Sequence, residues 1–457
     1  MRTNTTHWHS VRSCAALVLA PALLLAAPAV SMAQSSPRVG VPASSPSQPT
    51  FTKDVAPILQ RSCQTCHRPG AIAPMSLMTY EDTRPWIRSI KRKVVGREMP
   101  LWHIDRNVGI QKFKDDPSLT DQEVATISAW VDAGAPKGNP ADLPPPKQFA
   151  DADAWLIGTP DLIVEMPDEH VIPAQGPDRW LEWFAPTNLT EVRYIKAVQA
   201  LPGKGAHRGV HHINTVVIQS MDPEDMLPGS EENFEGDSNE QFLNEYAMGK
   251  NGDVLPEGTG RILKPGSVVK FENHYHSVGE ELRDRSRVGI VFYPRGYVPK
   301  YHQISKGIGR SNLPLDIPAG ADNVRFDGYQ RFDRPVRLTA VQAHMHNRGK
   351  RMCIEAIYPD GKIETFSCFN FDFAWHKVYT YTDDVAPLLP AGTILHVIGW
   401  HDNSSANRNN PDPRNWVGAG SRTSDEMGFS WTTWTYLSDD DYKRLVAERK
   451  ANIGTEN

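Results

Sequence analysis

Cysteine is scarce in this chain, with five residues in 457, at positions 14, 63, 66, 353 and 368. So few exclude a disulfide-built scaffold, in which dense bridging replaces a core. No run of Lys or Arg stands out and the formal net charge is only -5, which gives no electrostatic footing for nucleic acid or an anionic membrane surface. After Val30 no segment approaches the roughly 18 to 20 consecutive apolar residues that cross a bilayer, so no membrane span is expected.

The one long apolar run lies at the start. Arg2 and Arg12 lead into Ala15–Val30, which ends at Ser31-Met32-Ala33, a small-x-small cleavage pattern. Residues 1–33 therefore read as a secretory signal peptide that removes Cys14, and residues 34–50, rich in Ser and Pro, as a flexible lead-in. Export, taken together with the heme-attachment pattern that follows it in the chain, sets the expected location as the periplasm, an oxidising compartment.

In that setting Cys63-Gln64-Thr65-Cys66-His67 is informative, because C-x-x-C-H in an exported chain is the attachment pattern of a c-type heme. Two thioethers at Cys63 and Cys66 and an iron bond from His67 give one covalent heme c. An electron-transfer heme takes a sixth ligand, and the candidates are Met99, in Arg97-Glu98-Met99-Pro100, then Met75, Met78 and His103. Met99 is the expected ligand, since its loop falls after an amphipathic stretch and before the next helix. The other methionines serve equally well as core filling.

Around the motif the pattern is helical. Val55, Ile58 and Leu59 share one face, and Thr120 with Glu123 opens a second helix carrying Val124, Ile127 and Val131, stopped at Gly134. Residues 51–137 are expected to form a small all-α domain, followed by a proline-rich linker over 138–155, stiff from Pro140 to Pro146. Beyond it the texture changes to short β-rich runs: Thr215–Ile218, Val268–Glu272, Val288–Tyr293, Leu338–Gln342 and Ile394–Trp400. Turn signals such as Lys264-Pro265-Gly266 and Pro318-Ala319-Gly320 separate them. The length suits two antiparallel, jelly-roll-like β-sandwiches, at 156–300 and 301–445, with 446–457 as a tail. Cys353 and Cys368 flank Tyr358-Pro359-Asp360-Gly361, a hairpin turn, and are expected to form a cross-hairpin disulfide.

Three histidine groupings occur in the β region: His211-His212, His274-Tyr275-His276 and His344-Met345-His346. Alternate strand residues share a face, so His344 and His346 can reach one ion while Met345 turns away. Adjacent His211 and His212 can share an ion only at a strand end, bulge or twist. Imidazoles with an added thioether, such as that of Met427, form a copper set, whereas zinc prefers thiolate, imidazole and carboxylate. His170, His207, His302, His376, His396 and His401 have no partner at a ligand spacing and read as satisfied core or surface residues.

With these residues in view, the segment from about 160 to 440 resembles the copper type II, ascorbate-dependent monooxygenases, the group of peptidylglycine α-hydroxylating monooxygenase and dopamine β-monooxygenase. Matching the ligand order of that family, His211, His212 and His274 would hold one copper, and His344, His346 and Met427 the other. His276, two residues from His274, is the alternative third ligand of the first. With Asp54-Val55-Ala56-Pro57-Ile58-Leu59 ahead of the heme motif, the whole chain resembles bacterial proteins that fuse a cytochrome c domain to this unit.

The resemblance implies an oxidoreductase: a monooxygenase that hydroxylates a C–H bond of a small organic substrate with O2. The copper held by His344, His346 and Met427 would be the catalytic one, and electrons would come through the heme from a periplasmic donor or an ascorbate-like reductant. The competing expectations are an oxidoreductase with a single functional copper and a non-enzymatic electron-transfer or copper-binding protein.

Overall fold

The structure is a computed structural model that describes residues 48–151, 153–219, 240–247, 252–309, 315–375, 377–420 and 422–455. The expected signal peptide, most of the lead-in and His376 lie outside these residues. The described chain is mostly β-sheet with few helices. Among the described residues no helix is long and apolar enough to cross a membrane.

The helices form where the sequence carries caps and a buried stripe. Helix Ala56–Ser62 starts with Pro57 in its first turn and buries Ile58 and Leu59. Helix Asp121–Asp132 carries a complete capping box: the Thr120 hydroxyl accepts from Glu123 N while the Glu123 carboxylate accepts from Thr120 N. Gly134 follows it at φ +83°, a left-handed position that glycine adopts without a side-chain clash. Phe51, Leu59, Leu77, Ile127 and Trp130 form the shared core, to which helix Ile87–Val95 contributes Ile90 and Val94.

The segment from Trp102 to Lys114 departs from the expected all-α domain over 51–137. Asp105 N donates to Cys368 O (2.8 Å), Ile110 N to Phe366 O (2.8 Å) and Lys114 N to Thr380 O (2.7 Å). Ile104 and Phe113 belong to the core of the second β half. Gly109 permits this approach, since a Cβ there would meet Phe366 O at 2.2 Å. Isolated apolar residues on an otherwise polar segment find burial only against a neighbouring sheet. The linker also differs from a uniform polyproline rod: Pro140–Asp142 forms one 3₁₀ turn capped by Asn139, and Gln60 donates to Pro145 O.

The β-rich runs fall in the strands Val210–Ile218, Val268–Tyr275, Arg287–Phe292, Val336–Met345 and Ile394–His401, except that Tyr293 lies one residue past its strand. A four-stranded antiparallel sheet (Arg179–Pro186, Val268–Tyr275, Val210–Ile218, Glu240–Ala247) serves the first half. A second one (Val324–Arg331, Ile394–His401, Gly349–Ile357, Ile363–Asn370) serves the second half. Each has its own core, one running to Phe292 and the other drawn mainly from Ile304 onward.

Both halves share a ten-stranded sheet, joined where Tyr301 and His302 pair in parallel with Thr259 and Gly260. Two separate sandwiches would leave those strand edges unpaired; the shared sheet covers them. Cys353 and Cys368 lie directly opposite in register and are disulfide-bonded, with Gly361 at φ +85° in the connecting turn. Residues 446–455 of the expected tail belong to the helix Asp439–Thr455, and Arg449 ties it to Ala386 O.

Candidate functional site

The heme-type motif is wound into successive turns. Cys63 caps helix Ala56–Ser62, and both Cys66 N and His67 N donate to Cys63 O, at 3.2 and 3.0 Å, so the two cysteines and the histidine lie on one coil of chain. His67 Nδ1 faces Met75 O at 3.3 Å. A carbonyl accepts only a donor, so Nδ1 carries the proton and Nε2 presents its lone pair, the arrangement typical of a metal-bound histidine. Burial pushes the Cys63 thiol up to about 12 and raises Cys66 as well. The Lys377 ammonium, from the second β half, acts on Cys66 in the opposite direction. Met99 and His103 line one cavity of about 420 Å³, while the Met75 carbonyl is taken by His67.

The first histidine group meets at a bulge. Val210 pairs with Tyr275 and His212 with His274, so His211 is the extra residue of the strand Val210–Ile218. That local kink lets neighbouring histidines turn to one side. Ligand nitrogens of His211, His212 and His274 lie within 4.8 Å of one another.

Two of the rings are oriented from outside. His211 Nε2 donates to Ala374 O at 3.2 Å, and His274 Nε2 bonds Asp178 Oδ2 at 2.9 Å. With those protons fixed, Nδ1 of each ring carries a lone pair, and the two Nδ1 atoms face each other at 3.1 Å. Opposed lone pairs need a cation between them. Two imidazole nitrogens each about 2.0 Å from a transition-metal ion are spaced in this way at an angle near tetrahedral.

Burial, with the charge of His274 next, lowers His211 to about 4, and burial holds His212 well below its ordinary value, so both rings stay in the neutral, ligating form. His276 is an outer partner: its side chain is 60% exposed and bonds Asp178 Oδ1 at 2.9 Å. The hydrogen bond from His274, then that from His276, hold the Asp178 carboxyl at about 2 despite the cost of burial. Trp180 stacks on His274 at 3.9 Å and fixes its plane.

The second group is built on the shared sheet. His344 and His346 rings lie 5.7 Å apart, while Met345 between them is fully buried in the core. In the antiparallel pairing His344 faces Phe429 and Met345 faces Gly428, so the register brings Met427 opposite His346. Phe429 stacks on the His344 ring at 4.4 Å. Beneath, Glu426 accepts from His346 N (2.9 Å) and Arg348 N (2.7 Å), and His401 Nε2 donates to Met427 O (3.0 Å). Burial raises Glu426 to about 7 against the pull of those donors.

The two groups face each other. His344 and His346 act electrostatically on His212, and the Phe373 ring is 6.3 Å from His211 and 6.0 Å from His346. Asp178, Phe373, Ala374 and Glu426 carry no sequence signal for these positions. His401, which reads from sequence as a bystander, supports the Met427 main chain. His207, between Asp153 (2.9 Å) and Tyr246 (3.3 Å), and His396, between Asp327 and Glu355, are satisfied structural residues.

No protein-family profile matches the chain, and no curated protein does. Among solved structures it is similar to one assigned as an alpha-L-fucosidase from Bacteroides ovatus ATCC 8483, at 8% identity over 69% of this chain and 43% of that one, with a TM-score of 0.17. It is also similar to the VP2 subviral particle of infectious bursal disease virus, at 9% identity over 62% of this chain and 72% of that one, again with a TM-score of 0.17. The chain thus spans less than half of the fucosidase, and likeness at this level carries no argument.

Proposed function

We propose that this chain is a periplasmic copper-dependent monooxygenase that hydroxylates a C–H bond of a small organic substrate, with electrons entering through a covalent c-type heme. The observation that carries the reading is the bulge at His211, which sets two lone-pair nitrogens 3.1 Å apart with a third imidazole beside them. A buried proton could bridge two rings, but three convergent imidazole nitrogens suit a metal ion better.

His211, His212 and His274 would hold one copper, and His344, His346 and Met427 the other. Cys63, Cys66 and His67 would hold the heme, with Met99 as sixth ligand. The bound metals supply electron storage and O2 activation: R–H, O2, two electrons and two protons give R–OH and water. The protein's part is orientation. Asp178 and Ala374 O fix the tautomers of His274 and His211, Glu426 fixes the chain at His346, and Phe373 fills the space between the groups. The disulfide fits an oxidising compartment, in line with the signal-like N-terminus.

The test is metal counting joined to labelled O2. The purified protein should carry one heme and two coppers per chain, His212→Ala should retain one copper, and product formed from a metabolite extract under ¹⁸O2 should gain a single labelled atom. Absence of stoichiometric copper, together with no substrate-dependent O2 uptake, sinks the reading.

A further inference from the structure

A cavity of about 670 Å³ lies where the two β halves meet the Trp102–Lys114 segment. Its floor is the face of the shared sheet that carries His344. Gln342, two residues before His344 on one strand, lines it, as does Trp431, two residues after Phe429 on the neighbouring strand; residues two apart on a strand share a face. Phe242 from the other half stacks on Trp431 with ring centroids 4.7 Å apart, giving a flat aromatic wall.

Two donors in this wall have unused capacity. Gln342 is 2% exposed and its Nε2 has no hydrogen-bond partner among the described residues. Arg261 is 8% exposed and its Nε is in the same state. The rest of the Arg261 guanidinium is met by neutral acceptors, Phe242 O, Leu243 O and Gln303 Oε1. Buried donors left unmet are costly, and a buried guanidinium calls for an anion.

Lys377, half-buried in the same wall, also has no carboxylate within ion-pair distance among the described residues. The acids that line the cavity are engaged or remote. Asp383 pairs with Arg337 and Lys114, Asp253 accepts from Asn244 and acts on Arg261 without a direct hydrogen bond to it, and Asp115 acts on Lys377 from beyond contact.

We propose that this cavity binds a flat, apolar carboxylate, its body against Phe242 and Trp431 and its oxygens toward Arg261 and Gln342. Charge-assisted bonds to a carboxylate would satisfy both donors and add a direct anionic partner to the one Asp253 provides at a distance. Its size is that of a small-molecule site. That it is the substrate site beside His344 rests on the function proposed above; the ligand class rests on the cavity alone. The propionates of a heme held at Cys66 are a second source of the same chemistry, because Lys377 acts on Cys66 as well as lining the cavity.

Calorimetry on the purified full-length protein, with 2-naphthoate as probe and 2-naphthylmethylamine as its cationic counterpart, tests this without recourse to copper. The carboxylate should bind one per chain and at least about tenfold more tightly than the amine, and Arg261→Gln and the near-isosteric Gln342→Leu should each weaken it about tenfold or more. Equal affinity for both probes, or Gln342→Leu protein of unchanged unfolding midpoint binding like wild type, would overturn the proposal. Naphthoate binding confined to heme-free Cys63→Ala/Cys66→Ala protein would assign the site to the heme's own carboxylates and overturn the free-ligand assignment. Copper content is measured in the same samples, so a failure of the metal reading is seen separately.

Discussion

Asp178 holds the His274 tautomer, and the consequence can be sized. Its Oδ2 accepts from His274 Nε2 at 2.9 Å, which leaves the Nδ1 lone pair pointing at His211. Asp178→Asn removes the charge and lets the amide flip and donate to Nε2, which would move the proton to Nδ1 and remove the ligand lone pair. Losses on changing such an outer partner run from about 10- to 100-fold in metal affinity. The Asp178 side chain is 34% exposed, so solvent screens part of its charge and the lower end applies: about tenfold, or 1.4 kcal/mol.

The assay is a copper titration against a competing chelator at neutral pH, read by the spectrum of the three-histidine site. His276→Ala provides the control. Its ring is exposed and outside the nitrogen cluster, so it should leave affinity within about twofold. Equal losses in Asp178→Asn and His276→Ala, or no loss in the first, would refute the tautomer argument and reopen the choice between His274 and His276.

Met427→Ile should keep one copper per chain and abolish oxygenation, measured by metal analysis and O2 uptake; full activity would remove Met427 from the second site. Met99→Ala should open the ferrous heme to carbon monoxide, seen as a shifted Soret band, whereas an unchanged spectrum would leave the sixth position to another residue. Replacing both Cys353 and Cys368 by Ala opens a link of sequence separation 15 and should cost about 3 kcal/mol in denaturant unfolding on the chain-entropy account. Burial alone would raise the Asp441 carboxyl, but hydrogen bonds from Lys300, Ser438, Tyr301 and Arg444 hold it well below the usual range. That stabilisation is complete above about pH 4 and is lost as pH falls through the folded value, so the acid sensitivity of wild-type unfolding between pH 2 and 5 should flatten in Asp441→Asn.

Local patterns in this chain are readable because short-range physics writes them. The capping box at Thr120 and Glu123, the period-two runs and the turn between Cys353 and Cys368 each depend on neighbours a few residues away, and each is present. The histidine doublet is a conditional case: sequence says that His211 and His212 need a bulge to share an ion, and only the pairing with Val268–Tyr275 decides that there is one. Nothing in the sequence links Asp178 to His274 or Ala374 to His211, since 96 and 163 residues separate them. The Trp102–Lys114 segment is missed for a related reason. Its apolar residues are too sparse to signal a period, and their burial is set by a sheet formed some 250 residues later.

That segment changes how the heme motif relates to the copper-type groups. A proline-rich connector alone would give a tether, with transfer governed by effective concentration. The Trp102–Lys114 backbone instead bonds directly to the strands and loop between Phe366 and Thr380, so the helical part is held by the second β half. The loop that leaves the disulfide-bearing strand Ile363–Asn370 continues the connection. Phe373 lies between His211 and His346, Ala374 O bonds His211, and Lys377 acts on Cys66 while resting over Trp102 at 5.7 Å. One short loop therefore contacts His211 and His346 and carries the cation that acts on Cys66. A displacement of that loop would disturb His211 orientation and the surroundings of Cys66 together, so the spacing between them is a property of packing rather than of linker length.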